Sequence, residues 1–134
     1  MSQKLLITGG AGFIGSVLTA YLLDHGYEVF VVDDLSTGQS KTIDPRASFI
    51  QASILDKSTL VKALTGVNTV IHCAAKSLVE ESASKPELYS QINTEGTRVL
   101  LAAMKEANVS ILFFHQQLLF MAILRSNLLQ KVVK

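Results

Sequence analysis

Apolar residues arrive along this chain in short runs that alternate with helically spaced stretches. Lys4 to Thr8 is an apolar run of β character that meets a glycine cluster directly, as a strand does at a tight turn. Ile14, Val17, Leu18, Tyr21 and Leu22 then recur at helical spacing, and Gly26, just past His25, is a stop signal. Glu28 to Val32 reads as a second strand ending in Asp33-Asp34. Ser48 to Ile54 predicts a third strand, Lys57 to Leu64 a short helix capped by Asp56, and Thr69 to Ala74 a fourth strand. Pro86 opens a helical stretch to about Ala107, with Leu88, Ile92, Val99 and Ala103 on one face and Gly96 at a point of close backbone contact. Ile111 to Phe114 is the fifth expected strand. Strands alternating with helices imply an α/β fold, a Rossmann-type doubly wound parallel sheet that reaches about its fifth strand here.

The pattern changes at His115. From there the chain carries three basic residues, no acidic one, and the unbroken apolar run Leu118 to Leu124. The expected organisation is therefore a Rossmann-type domain over residues 1–114 and an atypical apolar and basic tail over residues 115–134.

Composition narrows the partners. With 134 residues, 49% of them hydrophobic, the chain has material for one core. Twelve Lys and Arg against eleven Asp and Glu leave a net charge of +1, so no global field points to nucleic acid or an anionic membrane. No apolar run approaches the roughly 18 residues of a membrane span. The single cysteine and the lack of a basic-then-apolar leader point to a reducing, cytoplasmic compartment.

The chemistry concentrates at the first turn. In Thr8-Gly9-Gly10-Ala11-Gly12-Phe13-Ile14-Gly15, glycines recur every third residue where a strand passes into a helix. Gly9 permits the tight turn, Gly12 lets backbone approach a pyrophosphate, and Gly15 lets the helix pack closely on the sheet. The helix start adds N–H donors and roughly half a positive charge. Such a turn also exists without a ligand, but here strand, helix, second strand and terminal acid follow in the order a dinucleotide site requires. Asp33 stands 18 residues after Gly15, where its carboxylate can accept from both hydroxyls of an adenosine ribose and repel a 2′-phosphate. NAD is thus expected over NADP, with a simple cap or turn as the other reading of Asp33. Asp34, Leu35, Ser36, Thr37 and Gly38 either continue the ribose and phosphate contacts or form an ordinary loop.

These residues, together with Val70-Ile71-His72-Cys73-Ala74-Ala75, Val79-Glu80-Glu81-Ser82 with Lys85-Pro86, and Asn93-Thr94-Glu95-Gly96-Thr97, resemble the extended short-chain dehydrogenases. Within that superfamily the chain is most similar to the NAD-dependent epimerases and dehydratases of nucleotide sugars, the UDP-glucose 4-epimerases above all. The resemblance covers residues 1 to about 114. It implies that Phe13 and Ile14 of the glycine turn, Ser53 and Ile54 near the adenine, and Cys73, Ala74, Ala75, Ser77 and Asn93 near the nicotinamide contribute to the cofactor site. On its own, Cys73 also reads as a buried core residue. The family usually has Gly-Asp at Ala52-Ser53 and glycine at Glu80, and its lysine beside the nicotinamide ribose aligns with Ser77. The first departure implies weaker adenine binding.

The resemblance further implies hydride transfer from C4 of a hexose to NAD, with a tyrosinate as base and a lysine four residues later lowering its pKa. Here Tyr21, Tyr27 and Tyr89 are followed four residues on by His25, Val31 and Asn93, so no catalytic residue is assigned. A UDP-sugar and a homodimer are implied for the whole enzyme, as NAD is for this part. A dehydratase or decarboxylase on the same domain, and a non-catalytic NAD-binding module, are the alternatives. After its fifth strand the family continues as Ser-Ser-x-x-Val-Tyr-Gly. His115 to Ala122, read one base earlier, encodes Ser or Pro twice, Thr or Ala, two variable positions, an apolar residue, Tyr or His, and an obligatory Gly. A shifted reading frame from about His115 is the expectation.

Overall fold

The computed structural model describes residues 3–36, 38–74, 87 and 91–114. Five strands form one parallel sheet: β1 (Lys4–Thr8), β2 (Glu28–Asp33), β3 (Ser48–Gln51), β4 (Thr69–His72) and β5 (Ile111–Phe114). Their order is β3-β2-β1-β4-β5, so the chain reverses direction across the sheet between β1 and β4. β1 lies centrally, paired with β2 from Lys4 opposite Glu28 and with β4 from Leu5 opposite Thr69. Its Leu5, Leu6 and Ile7 are fully buried, which is why that strand reads as a continuous apolar run and does not alternate.

Successive residues send their side chains into two different cores. Leu5, Ile7, Val29, Val31 and Ile71 pack under α1 (Phe13–Asp24). Leu6, Val32 and Val70 pack on the opposite face with Leu60 of α2 (Lys57–Ala63) and with Leu100 and Met104 of α3 (Gly96–Glu106). Asp56 caps α2 as expected, accepting the Thr59 N–H at 3.2 Å. Gly26, at φ +87°, turns the chain out of α1 toward β2. A 3₁₀ turn, Ser40–Thr42, stands between β2 and β3.

Several expectations shift. The buried side of α1 consists of Gly15, Leu18, Thr19 and Leu22, whereas Val17 and Tyr21 are exposed. Two small residues, Gly15 and Thr19, let the helix settle closely on the sheet and turn that apolar flank outward. β3 stops at Gln51 because Ser53 leaves the ladder for a local turn, its hydroxyl accepting the Leu55 N–H at 3.1 Å. β4 stops at His72: the Cys73 N–H makes the last ladder bond to Thr8 O at 2.9 Å, and the Ala74 N–H turns to the Thr8 hydroxyl. The last helix is preceded by a π-helical stretch, Gln91–Glu95, and buries Gly96, Leu100, Ala103 and Met104. Of the expected face, Ala103 is buried and Val99 packs, partly buried, against the same core. Gly96 does mark a close approach: a Cβ there would lie 2.7 Å from Cγ2 of Ile54. Pro86, Leu88 and residues 115–134 lie outside the described residues.

Candidate functional site

The turn between β1 and α1 sits at the point where the strand order reverses, the position at which open α/β sheets receive ligands. The Gly9 N–H donates to Val32 O at 2.8 Å, and the Cys73 N–H donates to Thr8 O at 2.9 Å. The turn is thereby pinned between the ends of β2 and β4. Gly9 has φ +73°, and a Cβ on it would stand 2.7 Å from backbone atoms of Cys73 and Ala74. A Cβ on Gly15 would run into the carbonyl oxygen of Gly9, so helix and turn touch backbone to backbone. Gly12 differs from both. Its φ is −79°, and among the described residues a Cβ there would meet nothing nearer than Gly9 O at 3.4 Å, an ordinary contact. Packing within the chain demands glycine at 9 and 15, while Gly12 leaves open the space in front of the helix start.

That helix start is unneutralised. Gly12 is the N-cap, no side chain among the described residues caps the first turn, and the turn holds no acidic residue. Its N–H groups and dipole remain available to an anion, which is the fit a pyrophosphate requires. Phe13, in the same turn, is 81% exposed, and Ile14 packs partly against the α1-side core.

Asp33 ends β2 beside the turn. Its Oδ2 accepts the Ala11 N–H at 2.9 Å and its Oδ1 accepts the Leu35 N–H at 2.8 Å. Each oxygen keeps a second lone pair, so the carboxylate braces the turn and can still accept from two vicinal hydroxyls. Leu35 takes φ +62°, a left-handed conformation that the bond to Asp33 helps to hold. Asp34 accepts the Ser36 N–H at 2.9 Å. Gly38 lies directly against Ala11, where a Cβ would come within 2.7 Å, and the Thr42 hydroxyl donates to Ala11 O at 2.7 Å. The loop after β2 therefore folds back onto the glycine turn. Ile54 is buried in the core under Gly96, and Ser53 beside it holds its own loop. Thr37, Ala75 and Ser77 lie outside the described residues.

On the other side of the crevice a chain of polar side chains runs inward. The Thr8 hydroxyl accepts the Cys73 and Ala74 N–H groups at 3.1 and 3.3 Å and lies 2.6 Å from Nδ1 of His72. Nε2 of His72 lies 3.2 Å from the Thr97 hydroxyl, which donates to Asn93 O at 2.8 Å. His72 is only 2% exposed, and desolvation lowers its pKa to about 4, so it is neutral at pH 7. Burial pushes the Cys73 thiol up to about 12. Thr8, His72 and Thr97 are not among the residues to which the sequence points for a site, although a histidine inside the apolar run Val70-Ile71-His72 is a visible signal.

Fold and turn together define a doubly wound domain of the dinucleotide-binding type. The model of the NAD dependent epimerase/dehydratase family matches residues 5–118, and the chain belongs to that family. It is 41% identical over 112 residues to a UDP-glucose 4-epimerase of Corynebacterium glutamicum, covering 84% of this chain and 34% of that protein. The UDP-glucose 4-epimerase of Brucella ovis, solved in complex with NAD, superposes with a TM-score of 0.81 at 36% identity over 84% of this chain and 35% of its own. A dTDP-glucose 4,6-dehydratase from Streptomyces venezuelae, solved with NAD bound, reaches 0.77 at 35% identity, covering 82% of this chain and 38% of its own. The chain thus spans about a third of the length of the relatives it matches. Among the described residues no helix is long and apolar enough to cross a membrane.

Proposed function

We propose that this chain is the cofactor-holding part of a UDP-glucose 4-epimerase, an enzyme of galactose metabolism, and that it performs no turnover alone. The observation that carries the binding reading is the contrast within the glycine turn. Gly9 and Gly15 are required by the chain's own packing, whereas Gly12 is required only if something outside the chain approaches it. The first turn of α1 donates to the pyrophosphate of NAD, and Asp33 accepts from the adenosine ribose. Cys73, Ala74 and Asn93 border the nicotinamide half. The bound nicotinamide supplies a hydride acceptor for C4 of the hexose.

The epimerase reading draws on relatives named UDP-glucose 4-epimerase at about 40% identity. The lack of turnover rests on the three tyrosines, none of which has a lysine four residues on. Titration of the purified chain with NAD and NADP by calorimetry is expected to show at least a tenfold preference for NAD, and equal affinities would remove the role given to Asp33. UDP-galactose should remain unconverted under the same conditions. Clear turnover would overturn the claim that catalysis needs groups this chain lacks. Residues 115–134 are read as the product of a shifted frame. Restoring one base near codon 114 of the coding sequence should reopen a long epimerase-like frame.

A further inference from the structure

The hydrogen bonds around His72 can be satisfied in one direction throughout. Thr97 gives its only hydroxyl proton to Asn93 O at 2.8 Å, so its oxygen must accept from His72, 3.2 Å away. The imidazole proton then sits on Nε2, which leaves Nδ1 to accept from the Thr8 hydroxyl at 2.6 Å. The Thr8 oxygen in turn accepts the Cys73 and Ala74 N–H groups. In the opposite tautomer Thr8 would face three donors, and the Thr97 proton would have two claimants. Three elements meet in this chain: the end of β1, the end of β4 and the stretch that leads into α3.

We propose that His72 is a positioning residue: a neutral imidazole, protonated on Nε2, that sets the spacing between the Cys73-Ala74 strand end and Asn93 across the nicotinamide side of the crevice. The strand end and Asn93 belong to different elements, separated in sequence by residues 75–92. His72 joins them through Thr8 on one side and Thr97 on the other. Burial keeps the ring uncharged, which this direction of donors requires. For its ligand the proposal rests on the NAD reading above; for the state of the imidazole it does not.

Two measurements on the whole chain test it. Long-range ¹H–¹⁵N NMR of the His72 ring is expected to show the neutral Nε2–H form at pH 6, and an Nδ1–H or charged ring would overturn the proposal whether or not NAD binds. Thr97→Val keeps the volume and removes the hydroxyl, and is expected to weaken NAD binding about three- to tenfold, the loss of one net hydrogen bond. Thr97→Ser should stay within about twofold of the parent by the same reasoning. In a His72→Asn background, Thr97→Val should weaken binding no further, because the link is already cut. Parent-like affinity in folded Thr97→Val, or additive losses in the double variant, would overturn the positioning role. Failure of the parent chain to bind NAD would instead defeat the cofactor reading, leaving the NMR result to decide the imidazole separately.

Discussion

The two sides of the crevice solve the same problem with opposite materials. At the end of β1 the chain makes room by omitting side chains: Gly9 and Gly15 bring turn, helix and the β4 end together backbone to backbone. At the end of β4 it fills space with polar side chains, and Thr8, His72 and Thr97 connect elements far apart in sequence. The first device is steric and insensitive to pH. The second is electrostatic, and its integrity depends on a histidine staying neutral.

The sharpest way to break the steric side is Gly15→Ala. The added Cβ meets fixed backbone, which has no route of escape, so a loss on the order of 3 kcal/mol or outright loss of cooperative urea unfolding is expected. Acid should attack the other side with similar force. The folded pKa of His72, about 4, lies below its ordinary 6.5, so the unfolded chain binds the proton more readily. Its contribution is present above pH 6.5 and is lost as pH falls through the window between those values, by about 3 kcal/mol in all. Urea midpoints between pH 7 and 4 should fall more steeply for the parent than for His72→Asn. A common slope would mean that His72 is not the group responsible.

Gly12→Ala separates binding from folding. Stability should change by less than about 1 kcal/mol, because the backbone there is extended and the space is open. NAD affinity should nevertheless drop by tenfold or more, and an unchanged affinity would place the pyrophosphate elsewhere. The smallest response is expected at Cys73. With its thiol pushed up to about 12, it should resist iodoacetamide at pH 8 in the folded chain and react once urea unfolds it.

Much of this was legible in sequence because it is local. A strand meeting glycines at three-residue intervals, then a helix and a strand ending in Asp33, specifies a βαβ unit through turn chemistry and periodicity alone, and β1 and the Asp56 cap fall where the residues place them. The helix faces were less legible. Val17 and Tyr21 fit an apolar stripe as well as Leu18 and Leu22 do, and the choice between them came from how closely Gly15 and Thr19 allow α1 to approach the sheet. The π-helical stretch Gln91–Glu95 before α3 is one that no residue type announces.

The spacing of Gly9, Gly12 and Gly15 therefore carried the class of fold and the kind of ligand, since both follow from backbone conformation within a few residues. The difference in role among those same glycines did not, because it depends on where Cys73 and Ala74 arrive from β4. Thr8 and His72 are 64 residues apart, and His72 and Thr97 are 25 apart. Neither propensity nor periodicity acts over such distances. Parallel pairing of β1 with β4 brings them within hydrogen-bond reach, and burial then makes the histidine neutral and its bonds directional.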